Sequence, residues 1–361
     1  TATDANMSTT GDAVLYVVNI QTGALIAKLS TKTGMSADPE KLDHPNGLSG
    51  VRVADVDADG VADFAYAGDL FGNLWRFDLT STVPAEWSVS FGSKPLFTAT
   101  SVEGKMQSIT VRPVWGASQQ GLDKGYMLYF GTGKYLENSD NSALGQPTQS
   151  FYALWDKWPK KSADAFAAVT RATLQQQIIL EEQSKGFRIT SDTPVDWLTK
   201  QGWYMDLTIK GATSNNGERV IHDALLSNGQ ILFSTFMPST AICDASGSGF
   251  VMIVEALSGG RPPLPPLDIT ADKSIDVKDL VDAASVGKKV AVTGYKSFRG
   301  IPSSPVFIEG SDGTESHIAM GTSDGTVSGP PWSQGVEPPA PQTSLVSTGV
   351  VKGRVTWKRL K

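Results

Sequence analysis

Short runs of alternating apolar residues, broken every few positions by Gly, Asp or Asn, recur along most of the chain and demand paired strands. Residues 13–19 turn at Gln21-Thr22-Gly23 and return over 24–29. Residues 64–67 turn through Asp69 and Gly72 and return over 73–79, with Trp75, Phe77 and Leu79 on one face. Further candidates are 126–130, 151–155, the pair 224–226 and 230–236 around Asn228-Gly229, then 250–257, 317–320 and a final strand at 353–360. The expected class is all-β. Loosely self-similar hairpins without a strict period suit a modified β-propeller with insertions, and a β-sandwich is the competing architecture. At roughly 40–50 residues per blade the chain supplies four or five blades, short of a full ring, treated as one domain over residues 1–361. Its opening strand would then need upstream blades to cover its edge.

Two kinds of segment interrupt the pattern. Residues 162–185 read as a helical insertion, with Phe166, Val169, Leu174, Ile178 and Ile179 spaced for one apolar stripe, Ser162 or Asp164 as cap and Gly186 as stop. Residues 261–267, Arg-Pro-Pro-Leu-Pro-Pro-Leu, are too rich in proline for a ladder and read as a stiff connector. A second Pro-rich loop covers 329–341.

Charge narrows the function. With 31 Lys plus Arg against 37 Asp plus Glu, the formal charge is −6 and no basic stripe is available to neutralise phosphates, which argues against nucleic acid. No apolar run is long enough to span a bilayer. Residue 1 is Thr and no charged-then-apolar leader follows, so the sequence reads as a trimmed piece whose targeting signal lies elsewhere. The single cysteine, Cys243, rules out an internal disulfide framework and a Cys-based zinc cluster.

One constellation carries chemistry: Asp55-Val-Asp57-Ala-Asp59-Gly60-Val61-Ala-Asp63. Hard cations such as calcium take six to eight oxygens. Asp55, Asp57, Asp59 and Asp63 offer carboxylates, Val61 a carbonyl, and Gly60 a sharp bend. Position 12 is Tyr66 instead of the bidentate Glu of an EF-hand, and strands flank the loop. A solvated acidic turn is the alternative. Like charges at 5 Å repel by about 3 kcal/mol per pair at an effective dielectric of 20, strain that a turn without an ion has no use for.

Other motifs carry less. Gly321-Thr-Ser323-Asp-Gly325 matches a nucleophile elbow, but Gly-Pro-Pro follows too soon for a helix. Gly131-Thr-Gly133-Lys134 lacks the third glycine of a phosphate loop. His44, His222 and His317 are isolated; Asp156, Glu181 and Glu182 have no sequence partner as glycosidase carboxylates. Trp75, Trp115, Trp155, Trp203 and Trp357 read as core residues of strands. No catalytic set emerges.

The acidic loop followed by Phe64-Ala-Tyr-Ala-Gly-Asp-Leu-Phe-Gly-Asn-Leu-Trp-Arg-Phe-Asp78 closely resembles the PilY/PilC family of type IV pilus proteins. Stretches 13–17, 128–137, 202–207 and 300–305 agree with it. The resemblance implies a C-terminal β-propeller domain of a larger protein exported to the pilus tip, cell surface or outer membrane. It further implies a non-enzymatic role in pilus biogenesis, adhesion and twitching motility, with minor pilins as partners and with host or abiotic surfaces contacted through an N-terminal region absent here. The family's calcium loop maps onto Asp55, Asp57, Asp59, Val61 and Asp63, and there governs extension against retraction. The Arg-Gly-Asp tripeptide of some members is absent. A quinoprotein dehydrogenase propeller is the rival enzyme, and a scaffold in which calcium only staples a turn is the rival non-enzyme.

Overall fold

The computed structural model describes residues 8–309 apart from 122–123, 158–167, 214, 240–246, 271, 273 and 298–299, together with strands at 316–321, 327–328 and 344–346. The elongated elements are strands, and no α-helix among the described residues exceeds one turn. Strands β1 (Val14–Val18) and β2 (Leu25–Ser30) form an antiparallel hairpin. Strands β3 (Arg52–Ala54), β4 (Phe64–Gly68) and β5 (Asn73–Asp78) make a meander, to which β6 (Ser88–Val89) and β7 (Phe97–Thr98) add by pairing with β5. This is the five-stranded sheet, and the 55–63 loop is the connection between β3 and β4.

The next strands are β8 (Val114–Ala117), β9 (Tyr126–Gly131), β10 (Ser150–Asp156), β11 (Gln175–Glu182), β12 (Phe187–Thr190), β13 (Gly202–Ile209), β14 (Leu225–Ser227), β15 (Gln230–Ser234) and β16 (Gly249–Glu255). A separate hairpin, β17 (Leu280–Ala283) with β18 (Lys288–Ala291), precedes β19 (Gly294–Ser297). Ten of these form one sheet in the order β14-β15-β16-β19-β12-β11-β13-β10-β9-β8. Its edges approach each other: a methyl at Gly116 on β8 would come within 2.5 Å of Leu226 Cδ2 on β14, so the sheet curls into a nearly closed barrel. Beyond it lie β20 (Val306–Glu309), β21 (Ser316–Gly321), β22 (Val327–Ser328) and β23 (Ser344–Val346), in which β20, β22 and β23 each pair antiparallel with β21.

The all-β class holds, and hairpins appear where turns separate alternating runs. The blades do not stay separate. Pairing of β16 and β12 with β19, and the parallel pairing of β11 with β13, join into one sheet strands of which the sequence pattern marks only β16.

The largest core lies between the two sheets. Phe64, Tyr66 and Leu74 of the five-stranded sheet pack with Met127, Leu128, Phe130, Phe151, Tyr152 and Trp203 of the ten-stranded one. Phe151 stacks on Phe233 at 3.9 Å between ring centroids. Each such side chain contributes roughly 1.5–3 kcal/mol on burial. A smaller cluster holds β1–β2 on the outer face of the five-stranded sheet through Leu15, Leu29, Trp75 and Phe77.

The helical insertion is corrected where it can be seen. Residues 158–167 lie outside the described residues, but 171–173 form a single 3₁₀ turn and Gln175–Glu182 is strand β11. Burial there follows period two, with Gln177 and Ile179 inward, and Gly186 (φ 80°) closes the hairpin to β12 instead of stopping a helix. Pairing on both sides, with β12 and β13, overrides the helical leaning of Gln, Leu and Glu. The connector at 261–267 lies outside any strand, as its prolines require. The second Pro-rich loop, the final strand at 353–360, Trp357, Cys243 and the centre of the Gly321–Gly325 motif lie outside the described residues.

Candidate metal centre

The β3–β4 connection is short-range in sequence and tightly wound. Strand pairing continues into it, with Asp63 N donating to Ala54 O at 2.9 Å and Val56 N to Asp63 Oδ2 at 2.8 Å. Within the loop, Gly60 N donates to Asp55 Oδ2 at 2.8 Å, Asp59 N to Asp57 Oδ1 at 3.2 Å, and Val61 N to Asp59 Oδ1 at 2.7 Å. Gly60 takes φ 89°, and Ala58 takes φ 62°, a left-handed value that a non-glycine residue adopts at a cost. These bonds turn the carboxylates inward.

Asp55, Asp57 and Asp63 bring one oxygen each within 4.8 Å of one another. Asp59 is not in this group; its Oδ1 accepts from Val61 N. Val61 is 64% exposed. Asp55 Oδ1 is buried with no hydrogen-bond partner. A buried carboxylate oxygen without a donor costs free energy that a cation would recover. Three converging carboxylates, hard oxygen donors with net negative charge, fit calcium or a similar hard cation.

The neighbouring sheet supplies two aromatic residues beside the loop. Trp115 on β8 donates from Nε1 to Val53 O at 3.1 Å. Its ring meets Tyr126 of β9 edge-on at 5.7 Å. Burial, then the Asp63, Asp156 and Asp57 carboxylates, push the Tyr126 phenol up to about 12, so it remains a neutral hydroxyl at physiological pH. Neither residue carries a local signal in the sequence, since both lie more than fifty positions downstream of the loop; only the docking of the sheets brings them there.

The remaining sequence candidates are engaged structurally. Lys134 Nζ pairs with Glu137 at 3.1 Å and Asp140 at 3.2 Å, and Gly133 (φ 135°) is required because a Cβ would come within 2.5 Å of Arg219 Cβ. Asp156 is buried against Arg76, and Glu182 reaches Arg188 at 3.4 Å. Glu181 accepts from Gln183 Nε2 and from Ser285 N. His44 Nδ1 lies 3.1 Å from Asp38 Oδ2, while burial lowers the pKa of His222. Among the described residues, no helix is long and apolar enough to cross a membrane.

A family model described as the PilY1 beta-propeller domain matches residues 2–192, more than half of the chain. The chain belongs to the PilY1 family. It is 35% identical over 314 residues to a type IV pilus biogenesis factor PilY1 of Pseudomonas aeruginosa, covering 78% of this chain and 26% of that protein. It is 34% identical over 317 residues to a PilY1 homolog of Xylella fastidiosa, covering 83% of this chain and 20% of that protein. Among solved structures, the C-terminal domain of Pseudomonas aeruginosa PilY1 superposes with a TM-score of 0.74 at 32% identity, covering 88% of this chain and 65% of that domain. The chain thus spans about a quarter or less of the length of these PilY1 relatives.

Proposed function

We propose that this chain is a calcium-binding, non-enzymatic domain of a type IV pilus biogenesis factor at the pilus tip or cell surface, where it promotes extension and counters retraction alongside minor pilins. The observation that carries the calcium part is the convergence of Asp55, Asp57 and Asp63 around a buried Asp55 oxygen with no donor. The names of the PilY1 relatives, type IV pilus biogenesis factors, support the pilus part. Adhesion and twitching motility belong to the same reading. Asp55, Asp57 and Asp63 would hold the ion directly, Val61 through its carbonyl, and Asp59 by fixing the bend or by a bridging water. Bound calcium would offset two of the loop's negative charges and lock the β3–β4 connection.

The test is an Asp57→Ala substitution in a piliated host. The expected result is altered pilus number or twitching at unchanged protein abundance. Normal pili and motility, with calcium binding abolished in the purified protein, would mean that the ion is only a staple. Turnover of a quinone that survives this substitution would favour the dehydrogenase alternative.

A further inference from the structure

Both strands that flank the acidic loop reach across to the ten-stranded sheet. From β3, the Val53 carbonyl accepts the Trp115 indole N–H at 3.1 Å. From β4, the Tyr66 hydroxyl donates to Asp156 Oδ2 at 2.9 Å. Beside them Arg76 of β5 donates from one guanidinium nitrogen to both Asp156 oxygens, at 3.1 and 3.0 Å. Arg76 is also sandwiched by aromatic rings, 4.7 Å from Phe64 and 4.1 Å from Phe91. On the other side of this seam, Tyr126 sits directly opposite Asp156 in the β9–β10 register, and its ring supports Trp115. The anchor points therefore gather at one end of the large sheet, on β8, β9 and β10.

The loop connects the two strands that carry these anchors. Asp63 bonds to Ala54 and Val56, so any change in how the carboxylates pack is passed to the ends of β3 and β4. We propose that the acidic loop is a latch on this seam. A cation held by Asp55, Asp57 and Asp63 tightens the docking of the five-stranded sheet on the ten-stranded sheet, and the seam contacts of Trp115 and Tyr66 in return raise the loop's affinity for the cation. The inference rests on the calcium reading above and adds its consequence: the ion is sensed by a sheet that contributes no ligand. Reciprocity is a thermodynamic requirement, because a ligand that stabilises one seam arrangement must bind better when that arrangement is already favoured.

The experiment is calorimetric calcium titration of the full chain as wild type, Trp115→Phe and Tyr66→Phe, with hydrogen exchange of the wild type with calcium and with chelator. Tyr66→Phe deletes one hydrogen bond and keeps the ring, while Trp115→Phe deletes the indole N–H together with part of the ring that meets Tyr126, so affinity is expected to fall by about threefold or more in each. Calcium is expected to slow exchange at 114–117 and 126–131, and to leave the separate β17–β18 hairpin, 280–283 and 288–291, unchanged. Wild-type binding with the same affinity in both variants and unchanged exchange at 114–117 would overturn the latch while leaving the calcium site standing. No binding to wild type would remove the site and the latch together. If either variant fails to fold, the exchange measurement on wild type decides alone.

Discussion

Arg76 and Asp156 form an ion pair at 3.0 Å in which neither side chain is more than 3% exposed. They lie 80 positions apart on different sheets, and Tyr66 shares the same carboxylate. The pair joins the two sheets beside the Trp115–Val53 hydrogen bond.

Removing one partner should therefore strand a charge. Asp156→Ala is expected to destabilise the chain by about 3–5 kcal/mol, and Arg76→Met by a similar amount. The double variant Arg76→Met/Asp156→Leu should cost clearly less than the sum, a non-additivity readable in urea unfolding. Additive losses would mean that the two groups do not depend on each other.

Calcium should raise the melting temperature. At 100 times the dissociation constant it adds about 2.7 kcal/mol of stability. Without a bidentate Glu at position 12, affinity is expected in the weaker range of roughly 10⁻⁶ to 10⁻⁴ M. Asp55→Ala and Asp57→Ala should abolish the gain, whereas Asp59→Ala, whose carboxylate lies outside the converging group, should weaken it less. Identical melting of wild type with calcium and with chelator would show the loop to be an ordinary acidic turn.

Magnesium should stabilise far less than calcium. It requires a near-ideal octahedron with short bonds and gives up its waters reluctantly, which an irregular three-carboxylate loop does not favour. Parallel thermal melts at matched ion concentration check this, and equal shifts for both ions would contradict it.

Gly133→Ala should be costly for a reason written elsewhere in the chain. Its φ of 135° excludes a side chain, and Arg219 occupies the space a methyl would need. A loss of about 1–3 kcal/mol in chemical denaturation is expected.

Acid should unfold the 38–46 loop. Burial pushes the Asp38 carboxyl up, but backbone N–H donors from His44, Glu40 and Leu42 and the nearby His44 hold it below its ordinary value. A depressed native pKa contributes stability that is complete above the unfolded value near 3.8 and is lost as pH falls through the native one. Asp38→Asn should be less stable than wild type at pH 7, with the difference shrinking below pH 4.

The readable parts of the fold were local. Asp55, Asp57 and Asp63 converge because their spacing and the Gly60 bend are set within nine residues, so the clustering of these carboxylates is legible in the sequence. The β4–β5 hairpin was legible for the same reason, since Asp69 receives Asn73 N, Asn73 Nδ2 and Trp75 Nε1 from its own turn. Strand β11 was not legible. Its apolar residues also fit a helical stripe, and the partners that decide otherwise, β12 and β13, include one that begins at Gly202. Trp115 and Tyr126 escaped notice at the site because nothing near them in the chain marks them as its neighbours.

Strand β12 has β19 as its outer neighbour, so Phe187 waits for Tyr295 more than a hundred residues further along. As the chain is made from its N-terminus, the β11–β12 hairpin must stand with an open hydrogen-bonding edge until residues 294–297 arrive. Unpaired edges invite pairing with other chains. The early hairpins can form on their own, but the middle of the large sheet is the last part to be protected. Aggregation during biosynthesis should therefore begin around residues 187–190, at a distance from the acidic loop and independent of calcium.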